Sequence, residues 1–552
     1  MDLAVEVIPR TAAPDWEAVY DRLSTLILVC LGLLMLITCR DYGYSYDEVW
    51  QNRFYGKAIA SFYATFGVDV RALKYLDLHL FGGLYDTLSE MLAWLLPLPG
   101  HLTRRIVNVL TGFLAFVGTW KTGRVIAGPK AGFWSLLFLA MTPVFYGHTF
   151  INAKDIPFAT GTIWTLYYLI RLVERPLDVS KGLLIKLGLS MALAIGVRIG
   201  GILLIGYMGL AWTIVLLFHY RRHPGIKESW HYIQQSSLAR AFFIPLTIAS
   251  GLMLLFWPYL CFNPLRFNSI LQAATHHVWT KSVLFKGHYV YASKLPWDYI
   301  PGYFLVNLPE LLVIISVPVL IWSLWKSWKH WHQLATKEFV ALVLLLVSTL
   351  MPPAIVIINH SAVYDGIRHL LFVVPSLAVL SGVAFAQWGS LVQRLGIIIR
   401  PLLIGIFAIY LTYHIHLMIK LHPYQYVFYN IFAGGMPEAS KWFETDYWMT
   451  SYYEAAKKII DYARQVAARE NVAFEDRRFT VGVFYVPINI KEFMPKNFII
   501  LEEDQVTHPD FILASTRWDS DKKFPQLPVI DRIERLGMIF SVIKSPHFQK
   551  LF

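Results

Sequence analysis

The sequence predicts an α-helical, polytopic integral membrane protein with a small soluble α/β domain at its C-terminal end. Apolar residues make up 56% of the 552 residues and charged residues only 16%, whereas a soluble domain averages about a quarter charged residues. Uncharged apolar runs such as residues 23–39 and 241–257 recur along the chain, and each is about long enough to cross a bilayer as a helix. In lipid only helices and closed barrels satisfy the backbone, and these runs are too continuous for barrel strands. After residue 420 the composition changes to that of a soluble domain.

We predict about eleven membrane-spanning helices. They lie at residues 22–39, 103–120, 132–147, 156–172, 182–196, 199–218, 240–257, 300–325, 338–358, 369–388 and 401–420. Lys and Arg follow the second, fourth, sixth, eighth and tenth runs, as the positive-inside rule expects of cytoplasmic loops. Residues 1–21 are therefore predicted to be cytoplasmic and residues 421–552 extracytoplasmic, in a protein of the plasma (inner) membrane. The net charge of +12 then reflects topology, and we predict no nucleic-acid partner.

Residues 22–420 form the predicted transmembrane module, with long outer loops at residues 40–102 and 258–299. The first loop contains amphipathic stretches at residues 49–66 and 86–96, a pattern typical of helices that lie along a membrane surface. In the C-terminal domain, the pattern predicts a helix at residues 451–468 and strands at residues 478–485, 498–501 and 511–514.

Several common catalytic patterns are absent from the sequence: H-E-x-x-H, the P-loop, G-x-S-x-G and C-x-x-C. The three cysteines have neither the spacing of a metal site nor the number needed for a disulfide framework. No pattern requires a cofactor, and a divalent metal ion is neither demanded nor excluded. An enzyme of this kind would act on a substrate that already carries an activated leaving group.

Acidic residues stand among aromatic residues where the first outer loop begins. Asp47 and Glu48 follow Tyr46 and precede Trp50. A partly desolvated carboxylate at such a place suits a general base. The alternative is a solvated loop carboxylate beside an interfacial belt of Tyr and Trp.

A second group of polar residues lies in the predicted outer turn at residues 148–157. Asp155 precedes Pro157, so capping of the next helix would by itself explain this acid. Capping does not explain why His148, Asn152 and Lys154 crowd into the same turn.

Positive charges also occur on the predicted outer side, where the positive-inside rule disfavours them. Arg198 lies in a short turn, Lys286 in the second long loop, and Arg368 and His369 begin a span. A shared anion such as a phosphate accounts for them, because Arg binds phosphate bidentately and Lys acts as a point charge. The alternative is that these side chains reach toward lipid headgroups.

Taken in order, these motifs resemble the GT-C superfamily of membrane glycosyltransferases. The resemblance is to the branch of families 39 and 83, with protein O-mannosyltransferases and lipid A aminoarabinose transferases. It is carried by Asp47-Glu48 in the first loop, Asn152–Asp155 in the second acidic turn, residues 289–303, and Arg368-His369. Residues 422–448 also resemble a segment of family 39-like bacterial proteins. The His-Pro-Pro motif of the mannosyltransferases has no counterpart, and His79 is the nearest residue, so the class of acceptor is not carried over.

The resemblance implies a polyprenyl-phosphate sugar as donor and a lipid, glycan or protein as acceptor. Asp47, with Glu48 and Asp155, would be catalytic, and Asp47 would deprotonate the acceptor hydroxyl in an inverting transfer. The lipid phosphate would be held by Lys154, Arg198, Lys286, Arg368 and His369. Tyr46, His79, His148 and Asn152 would support the acceptor or the structure.

Two other functions remain open. A transporter or lipid flippase also places charges within a helix bundle, but it predicts ionisable residues near mid-span. A subunit of a larger assembly would explain the soluble tail but not the residues around Asp47.

Overall fold

The computed structural model describes residues 15–235, 237–275, 279–330, 332–392 and 398–548. Most of the predicted cytoplasmic segment, residues 1–21, therefore lies outside the described residues. The same holds for residues 276–278 of the second predicted outer loop.

The first part of the chain builds one long span, a set of short loop helices and a very long helix. The helices are α1 (Trp16–Thr38), α2 (Tyr46–Glu48), α3 (Gly56–Ala64), α4 (Leu84–Leu95) and α5 (Gly100–Ala140), and a π-helix covers Val49–Tyr55. The carboxylate of Asp15 accepts a hydrogen bond from the backbone N–H of Ala18 and so caps α1. In α5 the chain breaks at Ala127 and Gly128, just before Pro129, and Gly128 has a φ of 81°. The predicted amphipathic stretches of the first loop are thus helical.

The middle of the chain continues the helical bundle. Its helices are α6 (Pro143–Ile151), α7 (Asp155–Glu174), α8 (Lys181–Ile195), α9 (Leu203–Arg222), α10 (Ile226–Gln235), α11 (Leu238–Phe256), α12 (Pro258–Phe262) and α13 (Phe267–Thr275). A hairpin of β1 (Ser282–Phe285) and β2 (His288–Tyr291) follows. The bundle is then completed by α14 (Tyr299–Asn307), α15 (Glu310–Lys329), α16 (Thr336–Ile358), α17 (Val373–Val392) and α18 (Ile399–Leu421).

By length and composition, seven helices of the described residues could each cross a membrane, or eight if a bent pair is one span. The predicted number of eleven is not confirmed. The predicted span at residues 103–120 lies in the broken helix α5, and the predicted span at residues 132–147 covers the end of α5 and the start of α6, which meet at a bend of 69°. Those at residues 182–196 and 369–388 correspond to α8 and α17, whose apolar stretches are shorter. The protein is nonetheless an integral membrane protein, because apolar helices of spanning length dominate residues 16–421.

The C-terminal part forms a helix packed on a five-stranded sheet. Its elements are α19 (Gly435–Ala439), α20 (Tyr452–Arg469), β3 (Phe479–Val483), α21 (Ile488–Lys491), β4 (Phe498–Leu501), β5 (Phe511–Ser515), β6 (Val529–Arg535) and β7 (Met538–Lys544). The strand order is β4-β3-β5-β7-β6, and β3 runs parallel to both of its neighbours. The predicted helix and three strands are therefore present, while the sequence reasoning missed the antiparallel hairpin of β6 and β7.

The C-terminal part packs directly on the first loop and on α6. The Tyr42 ring stacks on Phe150 with centroids 4.0 Å apart, and its hydroxyl donates to Gln425 at 2.7 Å. The backbone of Gly43 passes so close to the start of α20 that a Cβ there would collide with the carbonyl oxygen of Thr450. A single hydrophobic core runs through both parts, so the soluble sheet is fixed to the bundle.

We expect Gly43→Ala to weaken this junction, because the added methyl group meets rigid backbone rather than a flexible side chain. Overpacking of this kind costs about 1–3 kcal/mol, so the apparent melting temperature of the purified protein should fall by several degrees. Gly206→Ala in α9 is the matched control, since a Cβ at that position meets no atom within 4 Å. Equal melting temperatures for the two variants would contradict the close approach at Gly43.

Candidate active site

Asp47 lies in the first turn of α2, a short distance along the chain from the end of α1. The Ser45 hydroxyl accepts a hydrogen bond from the backbone N–H of Glu48 at 3.2 Å, and the Glu48 carboxylate accepts one from the Ser45 N–H at 2.9 Å. This capping box fixes α2. The Ser45 hydroxyl also donates to the carbonyl of Ile151 at 2.9 Å, which ties α2 to the end of α6. Asp47 is consequently held beside the second acidic turn.

The structure places Glu48, which is predicted to be catalytic, in buried contacts that fix the first loop. Its carboxylate is buried, closes the capping box and lies 3.4 Å from Arg105. Arg105 in turn donates to the carbonyls of Tyr42 and Gly43. Burial raises the pKa of Glu48 against the opposing charge of Arg105. Glu48 therefore shapes the loop that carries Asp47, and its catalytic role stays a prediction.

The second acidic turn is organised by Asn152. Its side-chain oxygen accepts hydrogen bonds from the backbone N–H groups of Lys154 at 3.1 Å and Asp155 at 2.8 Å. Its amide nitrogen donates to the Asp155 carboxylate at 2.8 Å and to Nδ1 of His148 at 3.1 Å. With Nδ1 as acceptor, Nε2–H of His148 donates to the Tyr447 hydroxyl at 3.0 Å. Asn152 and His148 thus fix the turn and link it to the C-terminal part.

Asp155 is a buried partner of two arginines. Its carboxylate lies 2.5 Å from the guanidinium of Arg198 and 3.9 Å from Nε of Arg368. The side chain of Asp155 is only 4% exposed, so it is shielded from solvent. Its geometry suits the holding of cations better than proton transfer.

Arg368 is the centre of the site. Its Nη1 lies 3.0 Å from the carboxylate of Asp47 and 3.2 Å from that of Asp365. The guanidinium lies between the rings of Tyr364 and Trp448, 4.8 and 4.9 Å from their centroids. Burial alone would lower the pKa of Arg368, but the charges of Asp47 and Asp365 raise it. A permanent, buried positive charge therefore stands beside Asp47.

A second buried arginine extends the ion-pair network into the C-terminal part. Arg517 lies 2.8 Å from Asp365 and 3.2 Å from Glu444, and it donates to the carbonyl of Tyr447. Burial raises the pKa of Glu444 to about 7 against the opposing charge of Arg517. Sequence reasoning missed Asp365 and Arg517 as site residues. Asp365 precedes the quoted Arg368-His369 pair by three residues, whereas nothing near Arg517 signalled a role.

The pKa values of Asp47 and Lys154 are both lowered from their ordinary values. Burial would raise the pKa of Asp47, but the positive charges of Arg368, Lys154 and Arg198 outweigh it and lower the pKa below its ordinary value. Burial lowers the pKa of Lys154 to about 8, although the charge of Asp47 opposes this. The ammonium of Lys154 lies 4.2 Å from the centroid of the Phe81 ring. At neutral pH the site thus holds an ionised Asp47 and a cationic Lys154.

The structure does not bring every predicted residue to this cluster. Lys286 occupies the exposed turn between β1 and β2, where it pairs with Asp298, and its role at a phosphate stays a prediction. The ring of His79 packs on Tyr259 with centroids 4.8 Å apart, and its Nδ1 lies 2.5 Å from the carbonyl of Leu76. These contacts hold His79 in its own loop. Lys286 and His79 lie far in sequence from the second acidic turn, so no sequence pattern could predict how close to it they lie in the fold.

Tyr46 and His369 lie at the edge of the cluster. Tyr46 is 44% exposed and its backbone N–H donates to the carbonyl of Trp448 at 3.2 Å. Nε2 of His369 lies 3.2 Å from Nη2 of Arg368, and its ring meets that of Tyr364 edge-on. Both residues are therefore placed to line an approach to Asp47.

Some donors of the site have no acceptor. Nε of Arg198 and Nε of Arg368 are buried and donate to no atom of the described residues. A buried guanidinium N–H without a partner is costly. In the part of the chain that the structure describes, no three His, Cys, Asp or Glu side chains are grouped so that they could hold a metal ion.

Comparisons with known proteins give one match in sequence. Residues 98–248 match the family model described as dolichyl-phosphate-mannose-protein mannosyltransferase. This segment contains Lys154, Asp155 and Arg198. No curated protein sequence matches the chain.

Solved structures of membrane glycosyltransferases align with most of the chain at low identity. ArnT from Cupriavidus metallidurans, bound to undecaprenyl phosphate, is 14% identical, with 97% of this chain and 98% of that chain covered and a TM-score of 0.48. The archaeal oligosaccharyltransferase AglB from Archaeoglobus fulgidus is 12% identical, with 91% and 69% covered and a TM-score of 0.45. The protein O-mannosyltransferase complex of S. cerevisiae, bound to the sugar donor, is 16% identical, with 50% and 40% covered and a TM-score of 0.33.

The family match covers the second acidic turn and the arginine that pairs with it. The predicted resemblance to the GT-C superfamily, in the branch of the protein O-mannosyltransferases, is thereby confirmed over residues 98–248.

Proposed function

We propose that the protein is an inverting glycosyltransferase that moves a sugar from a polyprenyl-phosphate donor to a hydroxyl group of a lipid, glycan or protein acceptor. The transfer would take place at the outer face of the membrane. The observation that carries the proposal is the pairing of the accessible carboxylate of Asp47 with the buried guanidinium of Arg368 at 3.0 Å. The first group can accept a proton and the second can hold an anion. The match of residues 98–248 to a mannosyltransferase family supports the same reaction class.

Asp47 is the best candidate for the general base. Its side chain is 27% exposed, whereas those of Asp155 and Asp365 are 4% and 2% exposed. An acceptor hydroxyl could therefore reach Asp47 but not the other two. The lowered pKa keeps Asp47 ionised before the acceptor binds. An anionic donor would share the charge of Arg368 and so raise the pKa of Asp47 toward that of a useful base.

The cations around Asp47 would hold the donor phosphate. Arg198 and Arg368 each keep a buried Nε–H without an acceptor among the described residues, and Lys154 adds a partly desolvated ammonium. Fixed donors aimed at developing charge stabilise a transition state more than water does. Asp155 would act by holding Arg198 in place, since it is the buried partner of that arginine.

In the proposed reaction the acceptor oxygen attacks the anomeric carbon from the face opposite the phosphate. The bond between that carbon and the phosphate oxygen breaks, and the polyprenyl phosphate leaves with the electron pair. The hydroxyl proton passes to Asp47. The attack forms one glycosidic bond and inverts the anomeric centre.

The C-terminal part would contribute Arg517 as a positioning residue. Arg517 neutralises Asp365 at 2.8 Å, and Asp365 contacts Arg368. Without Arg517, the buried Asp365 would draw Arg368 toward itself and away from the donor. The predicted transmembrane module and the predicted extracytoplasmic domain would thus meet at the active site.

A transporter or flippase is not favoured by the positions of the charges. Asp155 begins α7 and Arg198 follows α8, so these groups lie at helix ends rather than at mid-span. Ionisable groups that mark a transport path lie within the spans.

We expect Asp47→Asn to lower kcat by a factor of about 100 or more, because general bases contribute about 10²–10⁴. The measurement is release of free polyprenyl phosphate by the purified protein. Asp41→Asn is the matched control, since Asp41 lies in the same loop, is 53% exposed and pairs with His422 at 2.9 Å. An Asp47→Asn variant that keeps more than a tenth of the wild-type kcat would remove Asp47 from the role of base.

The pH profile of kcat/KM for the donor should fall above about pH 8, because Lys154, whose pKa lies at about 8, loses its positive charge there. Below that pH the ammonium is charged and contributes to phosphate binding. Activity should hold into mildly acidic solution, since the pKa of Asp47 is lowered. Lys154→Arg should shift the alkaline fall to higher pH, because arginine keeps its charge. If the fall stays at the same pH in Lys154→Arg, another group causes it.

Arg517→Gln should raise the donor KM about tenfold, with a smaller effect on the acceptor KM, since it leaves Asp365 unpaired beside Arg368. The double variant Arg517→Gln/Asp365→Asn removes both charges and should recover part of the donor affinity. Steady-state kinetics on equal amounts of folded protein measures the donor KM and the acceptor KM. If Arg517 only stabilises the fold, both variants will lose yield while the remaining enzyme keeps the wild-type donor KM.

A further inference from the structure

A polar cavity lies at the opposite end of α7 from Asp155. It has a volume of about 1180 Å³ and is bounded by the end of α7, the start of α8, the end of α9, Tyr232 of α10 and the start of α16. The twenty residues of α7 span about 30 Å. The cavity is therefore on the other face of the bundle, which the distribution of Lys and Arg predicts to be cytoplasmic.

Cations outnumber acids in the lining of this cavity. The lining contains Arg171, Arg175, Lys186, Arg222 and Lys337, with Glu174 and Asp178 as its acids. The carboxylate of Glu174 already forms ion pairs, with Arg171 at 3.1 Å and with Lys337 at 2.5 Å. Arg175, Lys186 and Arg222 form no ion pair with any described residue. Three like charges that converge on one cavity favour an anionic occupant.

Two helix N-termini add to this positive potential. Ser180, Gly182 and Leu183 of the first turn of α8 line the cavity, as do Ala335 and Thr336 at the start of α16. The N-terminal turn of a helix presents N–H groups and the positive end of its dipole, and it favours phosphate. The Ser180 hydroxyl accepts a hydrogen bond from the N–H of Leu183 at 3.3 Å and so caps α8 beside the cavity.

The rest of the lining is apolar and aromatic. Tyr168, Leu172 and Val215 contribute to it, and the ring of Tyr232 stacks on that of His219 with centroids 3.8 Å apart. The volume exceeds what a free phosphate fills and matches an organic ligand of several hundred Å³. An occupant with an anionic head and an apolar body fits both halves of the lining.

We propose that this cavity binds the headgroup of an anionic phospholipid. The phosphate would contact Arg175, Lys186 and Arg222, and the first carbons of the acyl chains would lie against the half-buried rings of Tyr167 and Tyr168. Basic pockets between transmembrane helices take up such headgroups. The general positive-inside bias explains basic loops, but it does not require unpaired cations and helix N-termini to face one cavity.

The test compares cardiolipin binding by the full-length wild-type protein with that by its variants. Each protein is held in nanodiscs of neutral phosphatidylcholine that contain a small fraction of cardiolipin. Native mass spectrometry counts retained cardiolipin, and sodium pyrophosphate serves as the free anion. The wild type should retain cardiolipin, and Arg175→Gln/Lys186→Gln/Arg222→Gln should reduce its affinity at least tenfold. Lys121→Gln/Lys326→Gln/Lys329→Gln removes the same charge from the same predicted face outside the cavity and should leave retention unchanged.

A second variant separates the cavity from its charge. A Cβ at Gly182 meets no atom within 4 Å, so Gly182→Trp can fill the cavity without a change of charge, and it should also abolish retention. Equal losses in the two triple variants would show a general surface attraction and overturn the proposal. Tight binding of pyrophosphate with no retention of cardiolipin would overturn it as well, in favour of a soluble phosphate ligand. None of these outcomes depends on glycosyl transfer.

Discussion

The candidate active site depends on the ion pair between Arg368 and Asp47. A guanidinium that is 3% exposed pays a large desolvation cost, which only close carboxylates and aromatic faces can offset. Asp47, Asp365, Tyr364 and Trp448 supply these contacts. They come from the first loop, from the segment before α17 and from the C-terminal part. The three regions of the chain must therefore be assembled before the charge of Arg368 is compensated.

The same constraint explains why the C-terminal sheet is not a separate appendage. Asp365 holds Arg368, and Arg517 in turn holds Asp365. Arg517 lies directly after β5, and Trp518 and Asp519 beside it have positive φ angles of 53° and 56°. Such backbone is tolerated where the surroundings fix it. The sheet thus orders a segment whose arginine completes the buried network at the membrane surface.

Sequence reasoning located part of this site. Asp47, Asp155, Arg198 and Arg368 were predictable because a charge at the end of an apolar run is rare and costly. Asp365 and Arg517 are 152 residues apart, and no local pattern could bring them together. The helix α20 and strand β5 followed from periodicity, whereas the number of spans did not. The break in α5, the short helix α8 and the short apolar stretch of α17 depend on packing, which hydropathy does not report.

The proposed reaction keeps the charge of the buried network constant. Before transfer Asp47 is anionic, and the donor phosphodiester carries one negative charge. Transfer moves the acceptor proton to Asp47 and leaves a second negative charge on the departing phosphate. Arg368, which contacts Asp47 at 3.0 Å, loses that partner as Asp47 becomes neutral and gains the phosphate in its place. The negative charge that faces the guanidinium thus moves from Asp47 to the phosphate, and the desolvated site holds no uncompensated ion during transfer. An isolated carboxylate without Arg368 could act as a base, but it could not make this exchange.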